Sequence, residues 1–179
     1  MFSVLKLALV GLALALGVGP AAGQTGDRFF VEESDAPIGD VLDAAAAAGQ
    51  FDYFLAAVRT AGLESVLRAE GPITVFAPTD EAFRQLGERE IARLMRPANR
   101  RELSAVLTYH VVAAELTAED LAGRQVRVEA ANGFDLTIDA RDGLRINDHL
   151  AVLQDVPGAN GTLHGVNTVL RPPILVASR

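Results

Sequence analysis

The chain has 179 residues, 50% of them hydrophobic, 22% charged and none of them cysteine, with a formal net charge of −7. That length is one domain's worth of chain, and the apolar content suffices for a buried core. The missing thiols exclude disulfides, cysteine nucleophiles, cysteine-ligated metal centres and lipid attachment at cysteine, and the acidity argues against duplex nucleic acid, whose binding depends on clustered lysine and arginine.

Residues 1–23 carry a single charge, Lys6, ahead of an apolar run from Leu7 to Val18. Gly19-Pro20 breaks the run, and Ala21-Ala22-Gly23 places small residues before Gln24, the pattern of a secretory signal peptide with its cleavage site. A bilayer core needs about 20 apolar residues, so the run is too short to span, and no later segment spans either. The mature chain is therefore expected in a periplasm or outside the cell, with no transmembrane segment. Residues 24–37 form a polar lead-in, residues 38–173 the folded domain and residues 174–179 a short tail.

Helices come first in that domain. Ile38, Val41, Leu42 and Ala45 repeat at helical spacing, with Pro37 near the start and Gly49 as the stop. Phe51, Phe54, Leu55 and Val58 repeat the pattern up to Gly62, and Leu63, Val66 and Leu67 predict a third short helix. Ile73 to Ala77 reads as a buried strand, followed by a helix that Thr79 or Asp80 caps. Further helices are expected over Glu88 to Met95 and from Pro97, the latter with Leu103, Val106, Leu107 and His110 on its apolar face.

The period then changes to two. Val126 and Val128, then Phe134, Leu136 and Ile138, then Leu144 and Ile146 alternate with polar residues around the turn pairs Asn132-Gly133 and Asp142-Gly143. Leu150 to Leu153 and Leu163 to Leu170 supply at least two more strands, separated by Pro157-Gly158 and Asn160-Gly161. Helices first and hairpins second predict an α+β domain with a largely antiparallel sheet.

Three segments stand in order: TVFAPTDEAF from Thr74, LTYHVV from Leu107 and NGTLHGVNTVLRPP from Asn160. With DVLDAAAAAGQFDYFLAAVRTAGL near the start, they resemble the fasciclin-domain family from about Ile38 to Pro173. The resemblance implies a wedge of two largely antiparallel β-sheets with N-terminal helices packed at one side, and a role in extracellular adhesion. The chain departs from the family pattern at two places. Ala113-Ala114 stands where Pro-Gly is usual, and Asn167 where Asp is common. In animal matrix members an Asp-Ile pair and the Tyr-His segment are linked to receptor binding; these map onto Asp155-Val156 and Tyr109-His110. Valine replaces isoleucine here, so the resemblance carries the surface and not the receptor, with Tyr109-His110 as its scaffold.

Catalytic and metal chemistry find no motif. His110, His149 and His164 stand in no ligand spacing, whereas an HExxH-type motif would put two ligands on one helix face. His110 and His164 are instead expected as buried imidazoles bonded to backbone. None of Ser34, Ser65, Ser104 and Ser178 lies in a nucleophile elbow, and GLESVLRAEG lacks the pattern of a phosphate loop. No cofactor is expected. Arg89, Arg93, Arg96 and Arg100 are spaced to share a face, a possible dock for an anionic partner, or else a solvated face laced by glutamates.

The expected function is a secreted or periplasmic adhesion or interaction module that binds a cell-surface, envelope or matrix protein or polysaccharide without catalysis. The alternative is binding of a small apolar or saccharide ligand in a crevice between sheet and helices.

Overall fold

A computed structural model describes residues 39–173. The expected leader, the lead-in, Pro37, Ile38 and the tail lie outside the described residues.

The first helix, α1 (Val41–Ala48), starts where Asp40 accepts hydrogen bonds from the Leu42 and Asp43 amides, and ends at Gly49 in a left-handed conformation. Helix α2 (Asp52–Ala61) ends the same way at Gly62 and buries Phe54, Leu55 and Val58 as expected. The short α3 (Glu64–Leu67) departs from its predicted stripe: Leu67 is buried but Val66 is 59% exposed. One turn of helix is too short to hold both residues on the core side.

Strand β1 (Ile73–Pro78) follows, and Thr79 caps α4 (Asp80–Leu86) by accepting from the Ala82 amide. Next come α5 (Glu88–Leu94), a 3-10 turn at Pro97–Asn99, α6 (Arg100–Tyr109) and β2 (Val111–Val112). The sequence reading missed α7 (Ala118–Leu121). Its signal was nonetheless present, as Thr117 and Asp120 form a reciprocal capping box. Strands β3 (Gln125–Glu129), β4 (Asp135–Asp139), β5 (Arg145–Ile146), β6 (His149–Gly158) and β7 (Gly161–Val166) complete the chain.

The strands order as β2-β1-β7-β6-β5-β4-β3. Every pairing is antiparallel except β1 with β7, which run parallel from Ile73↔Gly161 to Pro78↔Val166. Strand β6 serves both halves of the wedge: its first residues pair with β5, and from Ala151 onward it pairs with β7 through two irregularities. The far ends of the sheet meet where Val112 bridges Ala130 and the Ala131 amide donates to Val111 O at 2.7 Å.

Two boundaries shift. Pro157-Gly158 does not separate strands but lies inside β6, because β5 pairs only near His149 and Leu150 and leaves that later edge open, where a missing N–H costs no ladder bond. The last strand stops at Val166, and Val169 and Leu170 are buried as irregular chain.

Alternation along β1 divides the interior in two. Val75 and Ala77 face the helices with Phe51, Phe54, Val58, Leu103 and Leu107, while Phe76 faces a second cluster with Leu136, Ile138, Ile146 and Val166. Strand β7 does the same, sending Leu163 to the helical side and stacking His164 on Phe76.

Candidate interaction surface

The outward face of β6 carries the residues the sequence singled out. Leu150 is 39% and Val152 51% exposed, and Gln154 and Asp155 are also exposed, while Val156 is half-buried against the helical core. The chain kinks at Asp155, whose φ of 53° is unusual for a residue other than glycine. Three contacts fix this corner. The Asp155 carboxylate accepts from the Ala118 amide at 2.8 Å, the Asp155 amide donates to His164 Nδ1 at 3.3 Å, and His164 Nε2 donates to Leu116 O at 2.8 Å. Asp155 therefore joins β6 to α7 as well as facing solvent.

Tyr109 and His110 sit elsewhere and are both buried. The Tyr109 hydroxyl donates to Asp135 O at 3.0 Å and accepts from Asn147 Nδ2 at 2.9 Å, tying α6 to β4 and the turn after β5. His110 Nδ1 donates to Val106 O at 2.7 Å and Nε2 accepts from the Leu170 amide at 3.0 Å, so its neighbours fix one neutral tautomer. Burial pushes its pKa down to about 4 against the smaller opposing effect of the Val106 bond. These two residues brace the fold, and of the two pairs carried by the resemblance it is Asp155 and, in part, Val156 that reach the surface.

The arginines do not form one free stripe. Arg93 forks between Glu90, at 2.9 Å, and Glu102, at 2.5 Å, and Arg171 adds a bond to Glu90 at 2.9 Å. This network links α5, α6 and the segment after β7. Its Arg93 bond, with Arg171 assisting against burial, holds Glu90 down to about 2, and Arg93 likewise lowers Glu102. Arg100 donates to Ala61 O at 2.9 Å, closing the end of α2. Arg89 and Arg96 remain exposed. The turn at Pro97–Asn99 separates α5 from α6, as the two predicted helices imply, and the carboxylates of Glu90 and Glu102 lace the run at Arg93. Replacing Glu90 by Gln is expected to lower stability by about 1 kcal/mol, since the pair is only partly shielded from solvent. Thermal denaturation at low and high salt measures it, with a smaller difference at high salt.

Asn160 is a structural residue the sequence reading treated only as a turn. Its side chain accepts from the Val41 amide at 3.0 Å and donates to Leu67 O and Ala69 O at 2.8 and 2.9 Å, pinning the β6–β7 turn to α1 and α3. Among the described residues no group of three or more His, Asp and Glu stands close enough to hold a metal ion, and no helix is long and apolar enough to cross a membrane.

The family profile described as Fasciclin domain matches residues 49–172. This chain belongs to the fasciclin-domain family. A Synechocystis relative, "Protein sll1483", is 36% identical over 171 residues, covering 93% of this chain and 94% of that protein. "Transforming growth factor-beta-induced protein ig-h3" from Sus scrofa is 37% identical over 138 residues, 76% of this chain but 20% of that protein. "Cell surface glycolipoprotein MPB83" from Mycobacterium bovis is 40% identical over 104 residues, 58% of this chain and 45% of that protein. The solved fasciclin-domain pair from the insect cell adhesion molecule Fasciclin I matches with a TM-score of 0.50 at 15% identity, covering 72% of this chain and 46% of that one. This likeness concerns the fold: the fasciclin wedge of helices and sheet is the one seen here. The chain spans nearly the whole cyanobacterial relative and less than half of the others, so what those longer proteins do as wholes bears on this chain only as a proposal.

Proposed function

We propose that this fasciclin domain is an exported adhesion or interaction module that binds a cell-surface, envelope or matrix partner, protein or polysaccharide, without catalysis. The observation that carries the reading is the outward β6 face, where Leu150, Val152, Gln154 and Asp155 are exposed side by side on a strand braced from below. Family membership supports it, as do relatives whose names place them at the cell surface. Apolar residues flanked by polar ones on a rigid strand suit a contact with another macromolecule.

A pull-down of envelope and matrix material on the immobilised protein tests the proposal. A specific partner retained above a blank surface is the expected result, and no retention from any fraction overturns it. Native mass spectrometry of protein from its own host separates the alternative, because a crevice ligand would add a discrete mass.

A dock for an anionic partner is supported best at the open hollow of about 600 Å³ lined by Pro97, Ala98, Arg100, Arg101 and Ser104. If it contributes to binding, Arg101→Glu is expected to weaken retention on a sulfated polysaccharide column several-fold, and unchanged elution removes it from the interface.

A further inference from the structure

Beneath the exposed Asp155 corner lies an imidazole whose two nitrogens have opposite tasks. His164 is fully buried on β7, with its ring centroid 5.5 Å from that of Phe76 on β1. Nε2 must carry the ring's proton, because Leu116 O opposite it only accepts. Nδ1 must therefore keep a lone pair, and the Asp155 amide uses it. His110 holds the other tautomer, donating from Nδ1 and accepting at Nε2, and it lies far from the β6 face in its contacts.

We propose that His164 is the positioning residue of the Asp155 corner and that a second proton on its ring releases the corner in acid. The proposal rests on reading the β6 face as the contact surface, whose accessibility it makes dependent on acidity. The incoming proton takes the Nδ1 lone pair. Two donors, Nδ1–H and the Asp155 N–H, then face each other across the 3.3 Å that was a hydrogen bond. A residue other than glycine at φ 53° is in a less favoured conformation, which the contacts at this corner help to hold. The Asp155 carboxylate is an acceptor that the imidazolium attracts, but answering it means leaving the Ala118 amide. Either movement changes the link between β6 and α7.

The charge that acts on the ring is the Asp155 carboxylate, and further carboxylates stand on the segments beside it. Asp155 stands on β6, Glu115 precedes α7 and lies 3.5 Å from the Thr162 hydroxyl, and Glu119 and Asp120 stand in the first turn of α7. Strand β1 offers Phe76 and no ionisable side chain, and β7 has none besides His164. Burial lowers the His164 pKa, with the Leu116 bond and the Asp155 charge opposing in part. The neutral form thus persists at pH 7, and release falls on the acid side of the ordinary histidine value near 6.5.

A pH titration of the full chain by NMR tests this. From pH 7.5 to 4, the His164 ring and the Asp155 and Ala118 amides are expected to follow one curve with its midpoint below 6.5. Protection factors at those two amides, taken relative to the slower intrinsic exchange in acid, should fall tenfold or more, while that of the Leu136 amide stays unchanged. In His164→Asn, which keeps an acceptor near the Nδ1 position and cannot take the proton, the Asp155 amide should stay flat; if that variant fails to fold, the wild-type titration decides. An Asp155 amide that stays still while His164 titrates overturns the proposal, as does a corner that changes only when the whole domain unfolds. A corner that opens in acid with no change in partner retention supports the latch and instead removes Asp155 from the contact surface.

Discussion

Between pH 6.5 and 4 the domain is expected to lose on the order of 3 kcal/mol of stability through His110 alone. In the unfolded chain this histidine titrates near 6.5, and in the fold at about 4. Within that window the unfolded chain takes up a proton that the fold refuses. Stability is therefore fully present above about 6.5, declines as the pH falls, and levels off below about 4. The structural cause is burial of the ring, which leaves an imidazolium without solvent, at a site where the Leu170 amide also needs Nε2 as an acceptor. His164 is shifted in the same direction and steepens the decline. Carboxylates occupy a lower window: Glu90, held down to about 2, stabilises above its ordinary 4.5 and loses that contribution only as the pH falls further. Urea unfolding at pH 7.5, 5.5 and 4.5 measures the effect. In His110→Gln, whose side-chain oxygen can accept from Leu170 without titrating, stability at pH 7.5 falls but its decline with acid is shallower. Parallel declines for the two proteins would contradict the assignment.

Gly161→Ala is expected to be the most damaging single-methyl change in the sheet. A β-carbon at Gly161 would stand 1.8 Å from the Ile73 carbonyl oxygen, and one at Gly71 would stand 1.9 Å from that of Asn160. Both obstacles are backbone, at the first register position of the parallel β1–β7 pair. Room can be made only by separating strands that carry both halves of the core, at a cost of about 3 kcal/mol or more. Gly133, at φ 83°, has no atom within 4 Å of its missing β-carbon, so alanine there adds only left-handed backbone strain of about 1 kcal/mol. For a domain of this size these costs correspond to melting temperatures lower by roughly 10 °C and roughly 3 °C. Equal losses at the two sites would contradict the close-approach argument.

Local physics was the part of this fold legible in the sequence. The apolar spacing of Phe51 to Val58, the Thr79 cap and the alternation of Phe134 to Ile138 depend on neighbours within one or two turns, and each appears as expected. The parallel pairing of β1 with β7 makes sheet neighbours of Ile73 and Gly161, which are far apart in the chain, and hydrophobic periodicity does not report register at such separations. The passage of β6 through Pro157 depended on an edge being open, which is a property of the assembled sheet. The candidate site divides the same way. The resemblance located Asp155-Val156 and Tyr109-His110, but only burial separates the exposed pair from the braced one. Of the two readings of the arginine run, a dock or a face laced by glutamates, the Arg93 contacts with Glu90 and Glu102 across the 3-10 turn match the second.

A domain without cysteine places the burden of rigidity on packing and on a few buried polar contacts. His110, Tyr109 and Asn160 each join elements distant in sequence, and His164 holds the corner that the proposed surface needs. The same buried imidazoles that stiffen the domain at neutral pH make it sensitive to acid.

The most direct test of the account uses residues that face solvent and brace nothing. Retention of envelope and matrix material should be compared quantitatively between the wild-type protein and the double variant Val152→Glu with Gln154→Arg, at pH 7.5, after both show the same melting temperature. The account predicts at least a tenfold loss of retention with the fold intact. Undiminished retention by the folded variant would contradict the assignment of the β6 face as the surface through which this fasciclin domain meets its partner.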